Sequence, residues 1–424
     1  MSSASKQEGF VYAGILLSGF GVLTGVLNYS FQLLMGRILS ADDFLTFNAI
    51  VALALVIGSP LGALQTVATR YVATVASTSG RGTVLQLFRQ WAPRFWAAVA
   101  GAAIVVAAFC GPLQRWLQLP DIRSTWLLTV IVLANLLLIA NNTFLQGMQH
   151  FFWLGFIPAA NVLLRMACCG LLAGILGYGL SGALIAFAAA TMICVLLGAS
   201  ILISLTPQTS RQKPALPTFP YALIPPVTAA MFGLTSMTQI DLVLVNRYFN
   251  PEIASQYALA AVLGKAVLYL PTGLVSVILP VVAAGHARQQ SGSQQAWQAI
   301  LATLGLAGGA AVGCSFLGPW FVAQLYGEKY GDAGRLLAFY GPAMVPMGVA
   351  LVTQVFVVAK GRPLFSWIIA ATAICEIGML NAWHPSLEAV LATIAVFNTG
   401  LAILGTILVK LAPNDRTVST PDEI

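Results

Sequence analysis

Four ionisable residues lie inside long apolar runs: Arg165, Asp241, Lys265 and Glu376. A charge at the centre of a bilayer costs about 2.5–3.5 kcal/mol on insertion scales, so such residues face protein or a hydrated cavity and mark function by default. A carboxylate in that setting can take up and release H+ or Na+. A guanidinium or an ammonium can hold an anion. Asn161 stands four residues before Arg165, and Asn28 stands four before Gln32, so each pair shares one helical face. Two readings of these stripes are open. One is a hydrated cavity offering amide donors and cations to an anionic or sugar-rich ligand. The other is polar glue between helices.

Asp241 and Lys265 fall on consecutive apolar runs joined at one membrane face, at depths close enough for an ion pair. Either the carboxylate carries a coupling ion, with Lys265 as a movable partner, or the pair is a static lock on the hairpin. Glu376 is alone on its run, either neutral or paired with a cation from elsewhere.

The elements that carry these residues follow from composition. Of the 424 residues, 58% are hydrophobic and 8% are charged. Soluble domains carry about 25% charged residues, so the solvent this chain expects is lipid. Twelve stretches are long enough to span: 10–35, 44–70, 93–113, 124–146, 151–176, 180–205, 221–248, 255–281, 296–322, 335–359, 363–384 and 387–411. They lack strand alternation, and helices satisfy their own backbone in lipid, so an all-α integral membrane bundle is expected. The first run is too long for a signal-peptide core and is expected to stay as a helix. Pro60, Pro158, Pro225, Pro226, Pro271, Pro280, Pro342 and Pro346 fall inside spans and should bend them.

The polar stretch 206–214, with two prolines, divides the spans six and six. The expected organisation is an N-terminal lobe over 1–207, a cytoplasmic linker over 208–220 and a C-terminal lobe over 221–424. The halves also resemble each other. Arg37 to Asp42 answers Arg247 to Glu252 at an offset of 210, and Phe47 answers Tyr257 at the same offset. Pro60 answers Pro271, Gly147 answers Gly361, and Trp153 answers Trp367. An even number of spans per repeat makes the halves parallel, related by an axis along the membrane normal with a central cavity between them.

The net charge of +7 is scattered through loops and does not form the stripe that a nucleic acid would need. Twelve cations (Lys6, Arg70, Arg81, Arg89, Arg94, Arg211, Lys213, Arg288, Lys360, Arg362, Lys410, Arg416) fall on one side and six (Arg37, Arg115, Arg123, Arg247, Lys329, Arg335) on the other. That bias places both termini in the cytoplasm. The six cysteines sit in apolar segments with no C-x-x-C pair, so neither disulfides nor a metal site is expected.

Several segments resemble Wzx-like polysaccharide flippases of the multidrug/oligosaccharidyl-lipid/polysaccharide (MOP) exporter superfamily. These are Gly36 to Phe44, Leu145 to Phe151, Met237 to Val245 running on through Tyr257 to Lys265, the Leu270-Pro271 and Leu279-Pro280 pairs, and Leu325 to Tyr330. The resemblance implies two six-helix lobes and alternating access. Its implied cargo is an undecaprenyl-pyrophosphate oligosaccharide, moved from the cytoplasmic to the periplasmic leaflet of a bacterial inner membrane. It implies anion-binding roles for Arg165 and Lys265, with Arg37 and Arg247 near the outer exit, and a polysaccharide polymerase and other assembly proteins as partners. Asp241 and Glu376 would couple the cycle to H+ or Na+. No cofactor is implied. The alternative is a drug/cation antiporter of the same superfamily, disfavoured because the first six spans hold no mid-span carboxylate. An enzyme is disfavoured because the loops are short and no paired carboxylates or D-x-D pattern occurs.

Overall fold

The computed structural model describes residues 3–79, 83, 84, 86–88, 90, 91, 101, 104, 108, 109, 111–116, 121–205, 218–268, 292–359 and 364–411. Every regular element among them is helical. The first half contains α1 (Ser3–Ile38), α2 (Ala41–Ser79), α3 (Ile122–Gly147), α4 (Phe151–Cys169) and α5 (Gly179–Leu205). The second half contains α6 (Ile224–Tyr248), α7 (Pro251–Gly264), α8 (Gly292–Tyr326), α9 (Ala333–Ala359), α10 (Leu364–Ala382) and α11 (Leu387–Lys410). Nine of the described helices are long and apolar enough to cross a bilayer, so the chain is a multi-pass membrane protein. Most of the expected span 93–113, much of 255–281 and most of the linker 208–220 lie outside the described residues.

Helix neighbours repeat between the halves. In the first, α1 packs on α4, α2 on α3, α3 on α5 and α4 on α5. In the second, α6 packs on α10, α7 on α9, α9 on α11 and α10 on α11. These are the same pairings shifted by six spans, so the fold is the pseudo-symmetric pair of lobes that the repeat predicts. The same helix pair in each half is joined by a buried amide, placed on opposite members of the pair. Asn141 on α3 donates to the Val195 carbonyl on α5 at 2.7 Å, and Asn398 on α11 donates to the Ala343 carbonyl on α9 at 3.0 Å. The lobes meet where α2 packs against α6 and α7.

Local chemistry explains several helix starts. Asp121 and Ser386 cap α3 and α11 by accepting from the Arg123 and Ala389 amides. Pro225 and Pro226 do not bend a span. They occupy the first turn of α6, where their missing N–H is not needed. Pro60, Pro158, Pro342 and Pro346 do lie inside helices, joined by Pro319 in α8. After Cys169, α4 widens into a π turn over Gly170–Ile175.

The face that carries Arg37 and Arg247 is called outer below, after the charge count. Trp116, Trp126, Tyr178, Trp320 and Trp383 are exposed at that rim, and Tyr221, Trp297 and Trp367 at the opposite one. Two aromatic girdles are what a bilayer selects at its interfaces.

Candidate functional site

The second lobe buries a polar cluster. Asp241 on α6 lies seven residues before that helix ends, and Glu376 on α10 lies six before its end. Tyr257 lies six residues into α7 and Tyr340 seven into α9. At 1.5 Å per residue, all four sit about 9–10 Å below the outer helix ends. Alternating helix direction brings them to one layer, because α6 and α10 run outward while α7 and α9 run inward.

Asp241 is 1% exposed, yet it is well supplied with donors. Its Oδ2 accepts from the Tyr340 hydroxyl at 2.7 Å and the Tyr257 hydroxyl at 3.0 Å. Lys265 Nζ lies 3.6 Å from Oδ1 and donates to Gln239 Oε1 at 3.1 Å. Lys265 sits at the C-cap of α7, where a cation suits the helix carbonyl end. There the chain tightens, with the Leu268 amide donating to the Lys265 carbonyl at 3.0 Å. A Cβ on Gly264 would fall 2.5 Å from the Tyr340 ring, so glycine is what lets that ring approach α7 and reach Asp241.

Glu376 is not alone. It is 0% exposed and stands within electrostatic reach of Asp241 and Tyr257, and neither of its carboxyl oxygens has a hydrogen-bond partner among the described residues. Two carboxylates, two phenols, an amide and an ammonium thus share one dry layer. Such a set can hold a proton or a small cation and trade it against the ammonium.

The first lobe carries no counterpart among the described residues. At the repeat offset of 210, Asp241 answers Phe31 and Tyr257 answers Phe47. Those two rings pack 6.1 Å apart, and Phe47 also meets Phe187 at 6.1 Å. Arg165 lies close by on α4, half-buried, with its guanidinium 3.9 Å above the Phe187 ring. Its Nε and the Asn161 Nδ2 one turn earlier have no partner among the described residues. Arg165 and Lys265, expected to act together on one anion, therefore find their partners in different lobes.

The remaining expected residues are dispersed. Asn28 is exposed on α1 and donates back to the Thr24 carbonyl at 3.1 Å, while Gln32 keeps a buried, unpartnered Oε1. Arg37 donates from Nε to the Leu325 carbonyl at 3.0 Å. Arg247 lies over the Tyr248 ring at 5.9 Å. Tyr340 escapes a sequence reading, while Gln239 enters it only within a segment of family resemblance and Tyr257 only there and as the repeat partner of Phe47. A hydroxyl or an amide in an apolar helix announces nothing until its partner is known.

Solved structures share this fold. An outward-facing multidrug resistance MATE family transporter of the MOP superfamily matches with a TM-score of 0.66 and 14% identity over 94% of this chain and 95% of that one. The chain has the fold of these transporters. An inward-facing structure of a MATE family transporter matches almost equally, with a TM-score of 0.65 and 12% identity over 94% and 97% of the two chains. A MOP superfamily transporter from Pyrococcus furiosus, whose binding pocket is described as of reverse polarity, matches with a TM-score of 0.65 and 15% identity over 95% of both chains. No family model matches the chain, and no curated protein matches it.

Proposed function

We propose that the protein is a cation-coupled antiporter working by alternating access, with the Asp241 cluster as its ion site. The observation that carries this reading is the cluster itself: a carboxylate bonded by two phenols and paired with an ammonium, beside a second, unpartnered carboxylate, all buried in one lobe of a transporter fold. In the empty state Lys265 and the phenols compensate Asp241. When H+ or Na+ enters, Glu376 and Asp241 supply the oxygens and the ammonium gives way. Moving one ion across a membrane potential of 100 mV is worth about 2.3 kcal/mol, enough to bias two packings of the lobes. The lobes 1–207 and 221–424 rock about the linker 208–220, with both termini in the cytoplasm of a bacterial inner membrane. The cargo is an amphiphilic organic cation or drug. The whole-length likeness to multidrug transporters supports that choice.

One observation favours a second cargo. Arg165 and Asn161 present unpartnered donors in the first lobe, whose spans hold no carboxylate. That polarity suits an anion, such as the pyrophosphate of an undecaprenyl-linked oligosaccharide, which is the cargo of the Wzx-like reading. In that case a polysaccharide polymerase and other assembly proteins are the partners, with Arg37 and Arg247 near the exit and Asn28 and Gln32 lining the path.

The deciding experiment offers purified protein in proteoliposomes both cargoes in parallel: ethidium, and a labelled undecaprenyl-pyrophosphate oligosaccharide. The antiporter reading expects ethidium movement driven by an H+ or Na+ gradient and unaffected by Arg165→Ala. Oligosaccharide movement that collapses in Arg165→Ala, with ethidium immobile, transfers the assignment to the flippase. A folded protein that moves neither under any gradient overturns both.

A further inference from the structure

The outer ends of the two lobes are stitched by an exchange of helix caps. The last carbonyls of a helix have no partner within it. Lys329, on the short turn Gly327–Tyr330 of the second lobe, reaches across and donates to the Gly36 carbonyl at 3.1 Å and to the Leu39 carbonyl, at the end of α1. Arg37, in the last turn of α1, reaches the other way and donates to the Leu325 carbonyl in the last turn of α8. Each lobe thus supplies the cation that caps the other lobe's helix. The backbones are close enough to allow it because position 36 is glycine: a Cβ there would fall 2.5 Å from the Tyr326 ring. Tyr330 completes the seal, its ring 6.1 Å from Phe44 of the first lobe and 5.5 Å from Tyr326.

The same turn is held from below. Gln256 on α7 donates to the Lys329 carbonyl at 3.2 Å and accepts from the Ala333 amide at 3.2 Å, the first residue of α9. Its chain neighbour Tyr257 is bonded to Asp241, and so is Tyr340, two turns further along α9. The helix that bonds the turn, α7, and the helix that follows it, α9, are therefore anchored on one carboxylate.

We infer that the crossed caps of Lys329 and Arg37 are an outer latch between the lobes, and that Gln256 ties this latch to the charge on Asp241. While Asp241 is ionised, its charge-assisted bonds hold α7 and α9 at a fixed relative height, and the Lys329 turn stays seated on α1. When an ion or proton neutralises Asp241, the phenols are released, α7 and α9 shift, and the turn lifts off. The inference rests on the transporter reading for its place in a cycle, but its physical content is a distance between two lobes.

That distance is measured by pulsed electron resonance in proteoliposomes, without cargo or gradient. Spin labels go on Arg123→Cys and Glu388→Cys, exposed near the outer ends of α3 and α11, after the native cysteines are replaced by serine. The expected parent distribution is dominated by one short distance. Lys329→Ala should raise the ratio of long to short distances at least about five-fold, the effect of losing a pair of modest hydrogen bonds. Lys329→Arg should restore the short distance, and Arg37→Gln provides a second break should Lys329→Ala fail to fold. Asp241→Asn should lengthen the distance as Lys329→Ala does. Gln256→Leu alone should keep it short, because both caps remain, and in that background Asp241→Asn should no longer lengthen it.

An unchanged distribution in both Lys329→Ala and Arg37→Gln would overturn the latch. Equal lengthening by Asp241→Asn with and without Gln256 would overturn the tie to Asp241. Failure of transport in the proteoliposome assay, with these distance changes intact, would sink the antiporter reading and leave the latch standing.

Discussion

A buried charge in a membrane protein survives only if its partners replace water. Asp241 meets that condition through Lys265, Tyr257 and Tyr340. Asp241→Asn leaves the ammonium of Lys265 uncompensated in a dry layer and should destabilise the folded protein by about 3–5 kcal/mol. The check is thermal unfolding in detergent, in which the double variant Asp241→Asn/Lys265→Met should recover part of the loss. Tyr340→Phe removes one hydrogen bond to a charged group and should cost about 1.5–3 kcal/mol in the same assay. Gly264→Ala should cost a similar amount by pushing the Tyr340 ring away. If so, adding it to Tyr340→Phe costs little more, because the bond is already gone. The Asp241–Lys265 pairing is legible in the sequence, since both are intramembrane charges on consecutive spans. The tyrosines are not. Nor is the company of Glu376, because depth along one helix says nothing of which neighbour it faces.

The helices are the most legible level. Apolar runs of spanning length fix their existence, and the structure adds where they end: α1 and α2 extend beyond the apolar cores of their spans into polar sequence. Less legible is how a proline acts, since Pro225 and Pro226 start a helix while Pro60 sits within one. Equivalent helix pairs in the two lobes are each joined by an amide hydrogen bond, from opposite members of the pair. Asn141 and Asn398 each bond a backbone carbonyl of the next helix over, where α3 faces α5 and α11 faces α9. Interhelical bonds of this kind average about 0.6 kcal/mol and reach about 1.7 kcal/mol. Asn398→Leu should therefore lower stability within that range while leaving the structure helical, as circular dichroism during a thermal ramp would show. A loss several times larger would mean that the amide organises the lobe and does more than join two helices.

For the molecule as a whole, the internal repeat predicts two lobes, and the matching helix neighbours in each half show them. The lobes depart from symmetry at the buried polar cluster. Where one lobe packs Phe31 on Phe47, the other bonds Tyr257 to Asp241. At these equivalent places the first lobe packs aromatic rings, with the Arg165 guanidinium over Phe187, and the second lobe buries a carboxylate bonded to two phenols. Under the proposed antiporter reading, that division means that the two halves move against each other while only the second binds the ion. The sequence shows the repeat through Arg37 and Arg247, but the asymmetry emerges only when Phe31 and Asp241 are seen to occupy equivalent places.

The most direct test of the account is gradient-driven ethidium export in proteoliposomes, comparing the wild-type protein with Asp241→Asn and Glu376→Gln under imposed H+ and Na+ gradients. The account predicts export in the wild type that follows one of the two ions, and loss of that dependence in both variants while they remain folded. Export that keeps the wild-type rate and the wild-type ion dependence in Asp241→Asn would contradict it.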